Sequence, residues 1–323
     1  MRRLVEKLYK KAVFSRHDKD DAVFYFTADD FPGLKASPYH FKNQLGDTLS
    51  GAFYCYEGYN PDKLVIFDHG MGMGHYAYMK EIEMLCRAVF RVFSYDHTGC
   101  TLSEGKGIRG LSGSLADLDA CISALKADGV LNGLKYSVIG HSWGGFAAMN
   151  ILAYHPDIHS MVAISGFISL KNMHKDTLRG FAGLFRGAVL AYEKHENGKY
   201  AEANAISTLM NTNIPSLIIH SLDDDTVSAK GHFLRLKRAI ESLPQNDRPP
   251  VSFLAVKGKN HNPNYTEDAV KYKDSFIKEL TKKKKQGRLK AADEAGLFRN
   301  SFDWEKMTEQ DGAVWKIIFE HLK

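Results

Sequence analysis

The tightest constraint on this chain is the stretch Ser137-Val138-Ile139-Gly140-His141-Ser142-Trp143-Gly144-Gly145-Phe146-Ala147-Ala148-Met149. A short apolar run meets a Gly-His-Ser-Trp-Gly corner and continues as small and apolar residues at helical spacing, which reads as a strand, a sharp turn and a helix. So tight a corner forces its middle residue into a strained backbone conformation, and only small flanking residues leave room for it, here Gly140 and Gly144. The Ser142 hydroxyl is thereby presented at a helix N-terminus, where backbone N–H groups and the helix dipole favour negative charge.

Around this corner the chain alternates short apolar strands with helical periodicity. Strands are expected at Leu64–Phe67, Arg91–Tyr95, Tyr136–Ile139, Met161–Ser165, Ser216–His220 and Val251–Val256, and helices at Tyr76–Val89, Ser112–Asp128, Lys230–Ser242 and Glu267–Leu280. Such β-α repetition argues for an α/β fold with a mostly parallel central sheet and helices on both faces. In such sheets chemistry sits beyond the C-terminal strand ends. Before the alternation, residues 3–14 space Leu4, Val5, Leu8, Ala12 and Val13 as one helix face. Val23–Thr27 and Tyr39–Glu57 read as extended, the latter as an antiparallel hairpin at a sheet edge.

Across 323 residues, 44% of them hydrophobic, the chain reads as one domain with two departures from the rhythm. Residues 167–213 exceed a plain crossover and carry Leu178, Phe181, Leu184, Phe185, Val189 and Leu190 at helical spacing. They are expected to form a small helical cap over the active-site mouth, with an ordinary longer crossover helix as the alternative. Residues 281–323 read as a basic linker followed by a C-terminal helical extension bearing Phe302, Trp304, Trp315 and Ile318, docked on the domain or on a second copy.

Met1–Asp20 is charged throughout, with no apolar block long enough for a signal peptide, and no later run approaches a membrane span. A soluble, cytoplasmic protein without stable membrane insertion is the expectation. Cys55, Cys86, Cys100 and Cys121 lack paired spacing, so reduced thiols are expected and no metal site. The formal charge of +5 is concentrated at the ends, notably Lys282 to Lys285; it reads as solvated helix faces, and no nucleic-acid role is assigned. The glycine-rich run Gly70-Met71-Gly72-Met73-Gly74 lacks the Gly-Lys-Ser/Thr or Gly-x-Gly-x-x-Gly spacing of a phosphate or dinucleotide loop, so no cofactor is expected.

The corner at Ser142 resembles the nucleophile elbow of the α/β-hydrolase superfamily. A serine hydroxyl needs a general base and a group to orient that base, and in this superfamily the order is Ser, acid, His, with the last two on loops after later strands. The segment after Ser216–His220 is Ser221-Leu222-Asp223-Asp224-Asp225-Thr226-Val227. It resembles the superfamily's Gly-x-x-Asp-x-x-Val loop, with Ser221 in place of glycine, and so implies Asp224 as the acid. Asp223 and Asp225 compete for that role and otherwise read as turn or helix-capping carboxylates. The loop Lys257-Gly258-Lys259-Asn260-His261-Asn262-Pro263 resembles the one that carries the catalytic histidine, implying His261 as base. His141, His220 and His232 read as structural.

Charge on a tetrahedral intermediate requires donors aimed at it beforehand. The resemblance implies the backbone N–H of Trp143, next to the nucleophile, and that of Met71, in the His69-Gly70 loop, as the oxyanion hole. Asp96-His97-Thr98-Gly99-Cys100-Thr101-Leu102-Ser103-Glu104-Gly105 resembles the Asp-x-Arg-Gly-x-Gly-x-Ser segment of monoglyceride-lipase-like and lysophospholipase-like members, departing at Thr98 and Thr101. The resemblance spans residues 40–280 and implies a serine hydrolase of carboxylic esters. Thioesters or amides suit the same triad, and a non-catalytic binding protein of the same fold is a further alternative. Phe181, Leu184 and Phe185 suggest a small-molecule ester with an apolar acyl group, and a homo-oligomer is possible.

Overall fold

The structure, a computed structural model, describes residues 2–72 and 74–323. In chain order, α1 (Arg2–Val13) precedes the hairpin β1 (Lys35–Lys42) and β2 (Thr48–Cys55), then β3 (Lys63–Asp68), α2 (Met79–Arg87), β4 (Arg91–Tyr95) and α3 (Gly113–Ala127). The corner joins β5 (Lys135–His141) to α4 (Trp143–Ile151), and β6 (Ser160–Ile164) follows. Helices α5 (Leu170–Thr177), α6 (Arg186–Asn197) and α7 (Ala205–Met210) fill the interval before β7 (Ser216–Ser221). Then come α8 (Phe233–Glu241), β8 (Val251–Val256), α9 (Glu267–Lys285), α10 (Ala292–Asn300), α11 (Trp304–Met307) and α12 (Gly312–Leu322).

The strands make one eight-stranded sheet in the order β1-β2-β4-β3-β5-β6-β7-β8. The two pairings that involve β2 are antiparallel and the rest are parallel. Successive side chains of a strand point to opposite faces, and both faces of this sheet are buried. Leu64, Ile66, Val138, Met161 and Ala163 join one apolar cluster with α3 and α4. Val65, Phe67, Ile139, Val162 and Ile164 join the other, with α2 and α12. The near-continuous apolar runs of β3, β5 and β6 follow from that double burial.

Two sequence expectations change, and one open alternative is decided. Val23–Thr27 is not a strand: its aromatic residues pack instead, Phe26 in the second cluster and Phe24 edge-on to it with ring centroids 5.0 Å apart, while the hairpin β1–β2 supplies the sheet edge. The Lys-rich run is not a linker, because α9 continues to Lys285, where cations favour a helix C-terminus. The C-terminal segment docks on this same chain, with Val314, Trp315, Ile318 and Leu322 of α12 buried in the second cluster. The side chains of Leu4, Val5 and Ala12, and Met73 of the glycine-rich loop, lie outside the described residues. Among the described residues no helix is long and apolar enough to cross a membrane.

At the corner, Ser142 has φ 56° and ψ −107°. A Cβ on Gly140 would lie 2.2 Å from the Gly144 carbonyl oxygen, and one on Gly144 would lie 2.0 Å from that of Asp68 at the end of β3. Backbone cannot yield as a flexible side chain can. Gly144→Ala is therefore expected to destabilise the fold by at least about 2 kcal/mol. Gly187→Ala, in α6 with open space around the new methyl, is expected to be neutral or to stabilise by up to about 1 kcal/mol. Thermal unfolding of the two variants checks both.

Candidate active site

Four loops leave the C-terminal ends of parallel strands and meet at one point. The turn after β5 carries Ser142, the loop after β3 carries Met71, the loop after β7 carries Asp224 and the loop after β8 carries His261. The Ser142 hydroxyl lies 2.8 Å from Nε2 of His261, and Nδ1 of His261 lies 2.8 Å from Oδ2 of Asp224. The three side chains chosen from sequence are thus in one unbroken line of contact. Asp224 is buried, and its other oxygen accepts the backbone N–H groups of Thr226 and Val227 at 2.9 and 2.8 Å. Burial alone would raise its pKa, but the hydrogen bond and charge of His261 outweigh it, so the carboxyl sits below the ordinary range.

The two neighbouring carboxylates do other work. Asp223 caps no helix: it accepts the N–H groups of Gly258 and Asn260 at 2.9 and 3.2 Å, stitching the loop after β7 to the loop of His261. Asp225 is exposed, and its backbone N–H donates to Oδ1 of Asn260 at 3.1 Å. Asn260 has φ 42°, so the residue before the imidazole is held in a left-handed conformation. His220 reaches the acid from behind, with Nε2 3.3 Å from Asp224 and donating to the Val227 carbonyl at 2.8 Å. His232 lies apart, accepting the N–H of Ile168 at 3.2 Å.

Trp143 opens α4, so its N–H is among those a helix leaves without an internal partner. Met71 lines the same cavity as Ser142 and His261. Behind the Met71 loop lies a buried polar network. Nδ1 of His69 donates to the Gly70 carbonyl at 2.7 Å, and its Nε2 accepts the N–H of His97 at 3.1 Å. The His97 ring lies 3.2 Å from Asp68 and 3.4 Å from Asp117. Thr98, where an arginine is usual in the family resembled, donates its hydroxyl to Asp117 at 2.8 Å. Thr101 has φ 35°, a left-handed conformation that suits the glycine usual at that position.

His141 is more than a packed neighbour of the serine. Its Nε2 lies 2.8 Å from the His261 carbonyl, which can only accept, and its Nδ1 lies 2.9 Å from the Tyr78 hydroxyl. Burial, with the neighbouring His261, pushes its pKa down to about 3, so the ring is neutral and carries its proton on Nε2. Tyr78 therefore donates to Nδ1 and accepts the N–H of Gly70. Gly70 N–H, Tyr78 O–H and His141 N–H all point one way, along a chain from the Met71 loop to the loop of His261. Sequence reasoning missed Tyr78, because nothing at the start of an amphipathic helix distinguishes it from a packing tyrosine.

The C-terminal segment buttresses the same loop. Lys259 pairs with Asp311, Tyr265 bridges to Gln310, and Asn264 donates to Gln310 at 2.9 Å. The cavity at Ser142 measures about 420 Å³ and is lined by Met71, Ala77, Tyr78, Asp225, Thr226, Asn262, Lys273, Asp274 and Ile277 among others, with no residue from 167–213. The expected apolar cover is absent from that lining: Phe181 and Leu184 are 61% and 76% exposed. Helices α5 and α6 instead hold α1, where Tyr9 donates to the buried Glu193 at 2.5 Å and its oxygen lies 3.0 Å from Nε2 of His174. Among the described residues no three metal-ligating side chains converge.

A mostly parallel sheet with a strained serine corner at its centre is the architecture of the α/β-hydrolase fold, and this chain adopts that fold. Residues 59–201 match the family described as serine aminopeptidase, S33. A sequence comparison with curated proteins finds no match. Among solved structures, the chain is similar to the Pyrococcus furiosus esterase Pf2001, at 20% identity and TM-score 0.59, covering 84% of this chain and 98% of that one. It is also similar to the α/β hydrolase GrgF from Penicillium sp. sh18, at 15% identity and TM-score 0.52, covering 70% and 91%. The Pyrococcus horikoshii acylaminoacyl peptidase aligns at 16% identity and TM-score 0.52, covering 72% of this chain and 38% of that one. At these identities the likeness is one of fold.

Two outcomes follow from this geometry. Tyr78→Phe leaves the Gly70 N–H and His141 Nδ1 without partners, and is expected to cost about 1–3 kcal/mol of stability. The same change should slow fluorophosphonate attack at Ser142 on the order of tenfold, measured as a labelling rate on folded protein. The second outcome concerns His97. Burial would lower its pKa, but Asp68 and Asp117 outweigh burial and push it up to about 9. The folded state therefore holds a proton that the unfolded chain releases near 6.5. This contribution to stability is full below about pH 6.5 and declines towards pH 9, by at most about 1.4 kcal/mol per pH unit. Urea unfolding at stepped pH checks it, and a flat midpoint across that window contradicts a charged His97.

Proposed function

We propose that this α/β-hydrolase is a serine hydrolase that cleaves a carboxylic ester through an acyl-enzyme on Ser142. The observation that carries the reading is the continuous contact from Ser142 through His261 to Asp224. His261 Nε2 takes the hydroxyl proton as Ser142 Oγ attacks the acyl carbon, and Asp224 stabilises the imidazolium that forms. The carbonyl oxygen, now negative, is held by the N–H groups of Met71 and Trp143. Collapse expels the alcohol, which takes the proton from His261. Water then attacks the acyl carbon, giving its proton to His261, and the carboxylic acid leaves as Ser142 recovers its proton.

The reading draws further support from the corner geometry and from the esterase fold to which the chain is similar. A cavity of about 420 Å³ with mixed polar walls suits a compact group on the acyl side better than a long chain. The neutral His141 fits a positioning role: it holds the His261 carbonyl and cannot compete for the serine proton at neutral pH.

Labelling with a fluorophosphonate probe tests the reading. The expected result is one adduct on Ser142, absent in Ser142→Ala and slowed by about four orders of magnitude in Asp224→Asn, with Asp225→Asn close to wild type. A folded wild-type protein that takes up no probe ends the proposal.

A further inference from the structure

The helix that walls one side of the Ser142 cavity continues beyond it as a basic row. Lys273, Asp274 and Ile277 of α9 line the cavity, and Ile277 also borders an open surface formed by Lys278, Thr281, Lys282, Lys285 and Gln286 at the end of the same helix. The cavity and that surface share the Ile277 side chain, so the basic row continues outward along the helix from the cavity wall. Lys278, Lys282 and Lys285 follow each other at intervals of four and three, which sets them on one face of the helix. From Ile277 to Lys285 the helix rises about 12 Å.

These three lysines differ from their neighbours. Lys284 is paired with Asp20, Lys283 lies 5.3 Å over the Phe298 ring, and Lys271 lies within 4 Å of Glu267 and Asp268. Lys278, Lys282 and Lys285 are exposed, and among the described residues none is paired with a carboxylate. A helix C-terminus favours cations only in its last turn, which accounts for Lys282 and Lys285 but not for Lys278, nearly two turns before the end. The cavity is different: Asp225 and Asp274 line it beside a single cation, Lys273, whose Nζ donates to Asn262 at 3.0 Å. Two carboxylates around the reacting centre repel a phosphate, and the row outside attracts one.

We propose that this lysine row is an anion subsite for the leaving group, so that the substrate is an ester or thioester of a soluble alcohol or thiol bearing phosphates. The inference rests on the serine-hydrolase reading and adds a substrate class to it. The uncharged acyl end occupies the cavity at Ser142, and the phosphates lie along Lys278, Lys282 and Lys285.

Binding measured on Ser142→Ala protein tests the subsite without requiring turnover. Coenzyme A, a polyphosphorylated thiol, is compared with pantetheine, its phosphate-free part. Coenzyme A is expected to bind on the order of tenfold tighter at low ionic strength, with the difference shrinking as salt is added. Lys278→Ala/Lys282→Ala/Lys285→Ala should abolish the difference. Lys35→Ala/Lys135→Ala/Lys316→Ala, an equal loss of charge at exposed sites elsewhere, should keep it. Equal binding of the two thiols, or a difference that survives the first triple variant, overturns the proposal. So does binding to phosphatidylglycerol vesicles without coenzyme A binding, which would make the row a lipid-facing surface. Because this binding does not depend on the serine, coenzyme A binding together with failed fluorophosphonate labelling would count against the hydrolase reading alone.

Discussion

The site depends on how closely three pieces of backbone approach at the corner. With glycine at 140 and 144, the turn after β5 folds back on itself and presses against the end of β3, within a distance that a single methyl would violate. That contact places the serine in its strained conformation, and it also seats the Met71 loop beside the first turn of α4. Strain at one residue is tolerated because the surrounding sheet over-determines it: the Ser142 N–H is bound to the Ile164 carbonyl at 2.8 Å, and its carbonyl accepts the N–H of Phe146 at 3.0 Å.

Hydrogen bonds of fixed direction then hold the remaining loops. Tyr78 and His141 run from Gly70 to the His261 carbonyl, Asp223 clasps the backbone on either side of Lys259, and Gln310 and Asp311 support the residues that follow. Such contacts are worth most where water is excluded, since a lost partner there leaves a buried polar group unsatisfied. The imidazole of His261 itself stays 17% exposed, open towards the cavity, while everything that orients it is covered. The C-terminal helix belongs to this support, because its Trp315 donates to Gln310 at 2.8 Å while its apolar face closes the second core.

Charge is distributed unevenly around that opening. The Ser142 cavity is lined by Asp225 and Asp274 beside Lys273, and three exposed lysines without a carboxylate partner among the described residues follow one to three helical turns away along α9. In a protein of formal charge +5, such a separation discriminates between the two ends of a bound molecule more than it raises overall affinity. Residues 167–213, read from sequence as cover for the mouth, instead bind α1 through Glu193 and His174.

Local sequence was enough for the α/β alternation, the corner and the strands that feed it, because apolar periodicity and glycine placement act within a few residues of each other. The convergence of Ser142, Asp224 and His261 could be anticipated for the same reason, since each lies on a turn or loop that follows a short apolar strand. The sequence could not reveal Tyr78, the clasp of Asp223, the walls of the cavity or the destination of the C-terminal helix. Each of those is a pairing between segments far apart in the chain, and a side chain's own neighbours carry no record of a partner 63 or 35 residues away. The 167–213 segment shows the same division: its helices follow from spacing, but the surface they cover was decided only when the tertiary fold brought α1 to them.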